Sequence, residues 1–183
     1  YRDRLVFAGR RPDGRSDLWL MDTAGNLTSL GFPDDPYGIT SVASANDGRI
    51  YFFRESVRLL CIDAANVSHA VTSLAGTGPA LLSPPDAIHF DEASNALYLL
   101  YGTARDFYYC GGTPPPPRTI TIRRIRLSPD GLRVVGDDWD VSGELAGVNN
   151  ATIGSGLSAG PDGMLLATFR EDRADVAGGD LER

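Results

Sequence analysis

Asn46-Asp47-Gly48-Arg49-Ile50-Tyr51, followed by Arg58-Leu59-Leu60-Cys61-Ile62-Asp63 and Ala64-Ala65-Asn66, is the stretch on which the fold turns. Its first part is an Asp-Gly turn that feeds a run of β-branched and aromatic residues. Its second part is a short apolar run that stops on an aspartate and doubles back. Short apolar runs bounded by Gly, Asn and Asp read as strands, and a turn residue able to take a positive φ folds two of them into a hairpin. Residues 46–66 therefore predict two successive hairpins.

Both signals recur. The first returns at Ala93-Ser94-Asn95-Ala96-Leu97-Tyr98 and at Pro161-Asp162-Gly163-Met164-Leu165-Leu166. The second returns at Asp17-Leu18-Trp19-Leu20-Met21-Asp22, before Ala24-Gly25-Asn26 and a return strand from Leu27 to Leu30. It returns again at Ile122 to Leu127, before Ser128-Pro129-Asp130-Gly131 and Leu132 to Val135. No segment has the clean 3.6-residue period of an amphipathic helix.

The expected fold is all-β, with hairpins following one another at about the length of a four-stranded propeller blade. Residues 1–31, 38–75, 86–140 and 153–170 form the expected units of one domain, or domain fragment, spanning 1–183. This is a β-propeller-like array of antiparallel four-stranded blades with fewer units than a closed ring holds. Further blades in additional sequence, an open stack or a sandwich would each resolve the shortfall. The third unit is swollen by Cys110-Gly111-Gly112-Thr113 and by Pro114 to Pro117, a run without amide donors that predicts a stiff extended excursion.

The opening segment runs Leu5-Val6-Phe7-Ala8-Gly9-Arg10-Arg11-Pro12-Asp13-Gly14-Arg15-Ser16-Asp17-Leu18-Trp19-Leu20-Met21-Asp22-Thr23-Ala24-Gly25-Asn26. It resembles a repeat of the TolB-type, six-bladed propellers, in which a strand ends in arginine and an Asp-Gly turn and an Asp-aromatic strand closes in Met-Asp. The match covers residues 5–26, and later units keep only the hairpin rhythm. The resemblance implies a propeller fold and a habit of protein or glycan binding. It carries no catalytic residue onto this chain.

Composition narrows the function classes. The 183 residues carry a formal net charge of -7. Nucleic-acid affinity needs clustered Lys and Arg that displace counterions, so a nucleic-acid partner is not expected. Arg123, Arg124 and Arg126 are the one basic cluster. On a strand Arg124 and Arg126 share a face and Arg123 takes the other, which reads as a solvated strand edge. No apolar run reaches the roughly 18 residues of a membrane span, so no membrane insertion is expected in the visible chain. The chain starts at Tyr1 and stops at Arg183 without a natural boundary at either end, so processing or excision is expected there.

Asn26-Leu27-Thr28, Asn66-Val67-Ser68 and Asn150-Ala151-Thr152 are N-glycosylation sequons, and two of them sit on expected hairpin turns. They place the chain outside the cell or on its surface, with the periplasm as the alternative. Cys61 and Cys110 suit one disulfide in an oxidising compartment; alternatively, Cys61 is a small buried hydrophobe within Leu59-Leu60-Cys61-Ile62.

Chemistry is thinly represented. His69 and His89 do not form a zinc pair, with His89 reading as a strand residue and His69 as part of a solvated turn. Gly154-Ser155-Gly156 lacks the spacing of a nucleophile elbow, and Gly111-Gly112 and Gly178-Gly179 lack the lysine of a phosphate cradle. No catalytic residue is assigned.

Asp34-Asp35, Asp137-Asp138 with Asp140, and Glu171-Asp172 with Asp175 are loop carboxylates that could hold Ca2+ or simply confer solubility, and Asp137, Asp138 and Asp140 are the first metal candidates. Asn149 and Asn150 lie near enough to sustain a lactonase-like hydrolase as the rival reading. Phe107-Tyr108-Tyr109 and Trp139 offer aromatic anchors, with Tyr108, Tyr109 and Trp139 the candidate binding residues. The functional expectation is an extracellular binding or structural module, a segment of a larger surface assembly. Its partner would be protein or glycan, with self-association through open strand edges; a periplasmic TolB-like adaptor is the third reading.

Overall fold

Where the turn is described, each hairpin closes on a residue that accepts the left-handed backbone. Gly14 (φ 83), Gly48 (φ 95) and Asn95 (φ 48) occupy one turn of successive units, and Gly25 (φ 85), Asn66 (φ 63) and Gly131 (φ 74) occupy the other. In the second set the amide donates back three residues, as from Gly25 to Asp22, Asn66 to Asp63 and Gly131 to Ser128. This is a type I turn capped by a left-handed residue, which turns a strand in three loop residues.

The computed structural model describes residues 4–31, 38–54, 58–76, 78–80, 82, 84–101, 121–138, 152–159 and 165–171. Among them are thirteen strands and no helix. The first sheet holds β1 (Arg4–Arg10), β2 (Ser16–Asp22) and β3 (Leu27–Ser29). The second holds β4 (Ile39–Ser44), β5 (Ile50–Arg54), β6 (Arg58–Ile62) and β7 (Ser68–Ala70). The third holds β8 (Ala87–Asp91), β9 (Ala96–Tyr101), β10 (Thr121–Leu127) and β11 (Val134–Asp138). The fourth pairs β12 (Thr152–Ala159) with β13 (Leu165–Glu171). Within every sheet the strands lie in chain order, each antiparallel to the next. The chain is a fragment of a propeller-like all-β fold, and its sheets are blades.

A blade held between two others must be apolar on both faces, so its strands read as continuous runs instead of alternating ones. Ile50-Tyr51-Phe52-Phe53 is buried at all four positions. Ile50 and Phe52 turn toward Leu18 and Leu20 of the first blade. Tyr51 and Phe53 turn toward Leu97, Leu99 and Ile125 of the third. Each such side chain, fully withdrawn from water, contributes about 1.5–3 kcal/mol. A smaller cluster of Leu100 and Ile122 receives Leu157, Leu165 and Ala167 from the fourth blade.

Polar contacts bind the second blade to the third. Ser41 Oγ donates to the Pro85 carbonyl at 2.7 Å, and the Asn46 amide donates to the Glu92 carboxylate. Beyond β7 the chain leaves its own sheet: the Thr72 amide donates to the Leu132 carbonyl at 2.9 Å, and the Val134 amide to the Thr72 carbonyl at 2.9 Å. These bonds form a parallel bridge between Thr72 and Arg133.

Candidate functional site

β7 is the outermost strand of the second blade, and the β10–β11 turn is its neighbour in the third. The two meet at the Thr72–Arg133 bridge and diverge from it, leaving an open groove of about 650 Å³. Ser68, His69, Ala70 and Thr72 form one wall, and Ser128, Asp130, Leu132 and Arg133 form the other.

The turn wall is held by its own side chains. Ser128 Oγ donates to the Asp130 carboxylate and accepts from the Arg133 amide at 3.0 Å, while Asp130 accepts from the Leu132 amide at 3.1 Å. The Ser128 hydroxyl, the Leu132 amide and the nearby Arg133 charge hold the Asp130 carboxyl below the usual range. On the strand wall His69 Nε2 lies 2.8 Å from Asp63 Oδ2, and Asp63 Oδ1 accepts from the amides of Ala65 and Val67 at 2.9 Å. The His69 hydrogen bond, followed by that of the Val67 amide, draws the Asp63 carboxyl down. His69 therefore belongs to a half-buried strand position tied to Asp63, a correction to the solvated turn expected for it. Exposed Arg133 forms no ion pair among the described residues.

The backbone of β7 adds a second set of groups. Val71 donates to Leu59, and Val67 accepts from Asp63, so positions 67 and 71 turn toward β6. Hydrogen-bonding direction alternates along a strand. Positions 68, 70 and 72 thus turn outward, as the Thr72 bonds to the third blade demonstrate. The outward amides and carbonyls of Ser68 and Ala70 face the groove.

The sequence-derived candidates are dispersed. Tyr108, Tyr109, Cys110, Trp139, Asp140, Asn149 and Asn150 lie outside the described residues. Asn26 and Asn66 are exposed in their turns, as glycan attachment requires, and Asn26 Nδ2 donates to Asp22 Oδ2 at 2.9 Å. Cys61 is a buried free thiol whose Sγ donates to the Ile62 carbonyl at 3.6 Å; burial pushes its pKa up to about 11.

Asp137 and Asp138 occupy successive positions of β11 and turn to opposite faces. Asp137 pairs with Arg123 through two hydrogen bonds, one of them 2.7 Å from Arg123 Nε, and Asp138 pairs with Arg124 and Arg126. The structure does not bring these two carboxylates together, and no group of three or more candidate metal ligands occurs among the described residues. The strand-edge reading of the arginines does not hold, and of the three only Arg126 is exposed. β10 is interior to its sheet, and Arg123 is buried against the neighbouring blade, where Asp137 neutralises it.

Thr72 and Arg133 carried no local signal in the sequence. Their bridge joins positions in different blades, and only the folded array shows it.

No family model matches the chain, and no curated protein matches it. Solved structures do. One is a protein from Lactobacillus plantarum, at 15% identity and a TM-score of 0.52, with 91% of this chain and 46% of that one covered. Another is a streptogramin B lyase, at 13% identity and a TM-score of 0.40, with coverages of 89% and 61%. A third is virginiamycin B lyase from Staphylococcus aureus, at 13% identity and a TM-score of 0.39, with coverages of 91% and 48%. The chain therefore spans between 46% and 61% of the length of these structures. The first likeness agrees with the propeller-like fold that the blades themselves display.

Proposed function

We propose that this propeller-like segment is an extracellular interaction module that recognises a protein or glycan partner through the groove between its second and third blades. The observation that carries the reading is the groove's unspent hydrogen-bonding capacity. Outward backbone groups of Ser68 and Ala70, together with Arg133, line an open cleft whose one end is closed by the Thr72–Arg133 bridge. Such a surface binds through positioned donors and acceptors. The exposed sequon turns at Asn26 and Asn66 support an exported location.

Two measurements test the proposal. Mass spectrometry of native material before and after glycosidase treatment is expected to show sugar on Asn26 or Asn66; bare asparagines would return the chain to the periplasmic reading. Screening the intact chain on oligosaccharide and peptide arrays is expected to give hits that Arg133→Glu weakens. Hits indifferent to Arg133→Glu, or none, would remove the groove from consideration.

A further inference from the structure

We propose that the groove takes an extended peptide bearing an acidic side chain, added as a further strand along the outer edge of β7. The inference rests on the reading of the groove as a partner site and narrows it from protein or glycan to one chemistry. Its first support is periodicity. Ser68, Ala70 and Thr72 turn their backbone groups away from β6, and Thr72 already uses its pair to bind Leu132 and Val134. Ala70 and Ser68 repeat that pattern one and two steps back along the strand, at the roughly 6.6–6.8 Å spacing of alternate strand residues. A second strand presents amides and carbonyls at that same spacing, whereas sugar hydroxyls have no such repeat.

Charge complementarity is the second support. The oxygens of Asp130 are occupied by the Ser128 hydroxyl and the Leu132 amide, and those of Asp63 by its own turn and His69, although the Asp130 carboxylate keeps its charge close to Arg133. Arg133 is the groove cation without an ion pair among the described residues, so a carboxylate suits the site. The Thr72–Arg133 bridge closes one end and so fixes where an incoming strand must stop. Recognition of this kind draws affinity from main-chain hydrogen bonds and selectivity from alternate side chains.

The test is fluorescence anisotropy of the intact chain with a labelled heptapeptide that alternates valine with threonine and glutamate. A second peptide carries N-methyl groups on alternate amides. The unmethylated peptide is expected to bind and the methylated one to fail. Arg133→Glu is expected to weaken binding about tenfold or more, since it replaces attraction by repulsion. Ala70→Pro deletes one outward amide at a sheet edge, where proline is tolerated, and is expected to abolish binding while far-UV circular dichroism is retained.

Equal binding of both peptides, or binding indifferent to Arg133→Glu, would overturn the strand-addition proposal. Oligosaccharide binding without peptide binding would overturn it and leave the groove as a glycan site. Failure of both ligand classes would overturn the groove reading as well.

Discussion

Arg49 of the second blade reaches Asn95 of the third, with Nη2 3.4 Å from Oδ1, and its guanidinium lies 5.5 Å from the Phe90 ring centre. Asn95 in turn donates to the carbonyls of Leu127 and Ser128 at 3.0 and 2.8 Å, so one turn residue anchors both its own sheet and its neighbour. The cluster leaves no room at Gly131, where an added Cβ would collide with the Arg49 guanidinium and the Tyr51 hydroxyl. Gly131 also sits at φ 74. Gly131→Ala is expected to cost about 2–4 kcal/mol, because backbone strain and overpacking combine. Gly76→Ala, at φ 70 with nothing within 4 Å of the added atom, is expected to cost about 1 kcal/mol from strain alone. Denaturant melts of the two variants check the difference; equal losses would show that the Arg49 cluster is soft.

The Arg123–Asp137 pair makes a different prediction. Arg123 is 8% exposed on the face that packs against the second blade, and Asp137 is its bidentate partner. Removing one member strands a desolvated charge, so Asp137→Ala is expected to destabilise by about 2–4 kcal/mol. The double variant Arg123→Leu with Asp137→Ala is expected to recover most of that loss, because the cross-strand neighbour Leu99 and nearby Ile125 are buried and apolar. A double-mutant cycle measured by urea unfolding gives the coupling directly. Additive losses would mean that the two side chains do not depend on each other.

These two clusters mark where sequence reasoning stopped. Hairpins were legible because Asp47-Gly48, Gly25 and Asn66 report local backbone demands, and local demands are written locally. The opposite orientation of Arg123 and Arg124 was legible too, from strand alternation. What could not be read was which face another blade would cover. Arg123 is buried because the second blade packs on its side of β10, and Arg126 is exposed on the other face. Arg11 and Ser29 likewise meet on the buried Asp17 within the first blade, a group that joins positions up to 18 residues apart. Thr72 and Arg133 escaped notice because their meeting requires both blades to be in place.

Acid should lower the stability of the array in two pH ranges. Burial lowers the pKa of half-buried His89, so the folded state disfavours its protonation. Its contribution is complete above the unfolded value of about 6.5 and is lost as pH falls through the lower folded value. Asp22, Asp63, Asp91 and Asp130 are drawn down chiefly by hydrogen bonds from Asn26, His69, Ser94 and Ser128 respectively. Their contribution is present above the unfolded carboxyl pKa of about 3.9 and disappears below it. Melting temperature is expected to decline as pH falls below about 6.5 and to decline further below about pH 4. His89→Gln should remove the first step and leave the second, and Asp22→Asn should shallow the second. A profile with one transition unaffected by His89→Gln would contradict the assignment.

Cys61 gives the last prediction and also tests its suggested partner. With its pKa pushed up to about 11 by burial, only about one thiol in a thousand is ionised at pH 8, against about a quarter for an ordinary cysteine. Burial also denies the reagent access. Iodoacetamide at pH 8 is therefore expected to leave Cys61 unmodified in the native chain over a period in which an exposed thiol is consumed. In urea without reductant the outcome divides according to the state of Cys110. A free Cys61 is alkylated as soon as the core opens, whereas a Cys61–Cys110 disulfide keeps it unmodified until reductant is added. Peptide mass spectrometry of the three samples separates these cases. Rapid labelling of the native chain would contradict the packing of Cys61 beside Tyr51, its partner across β5 and β6, since the core around those strands would then have to open without unfolding.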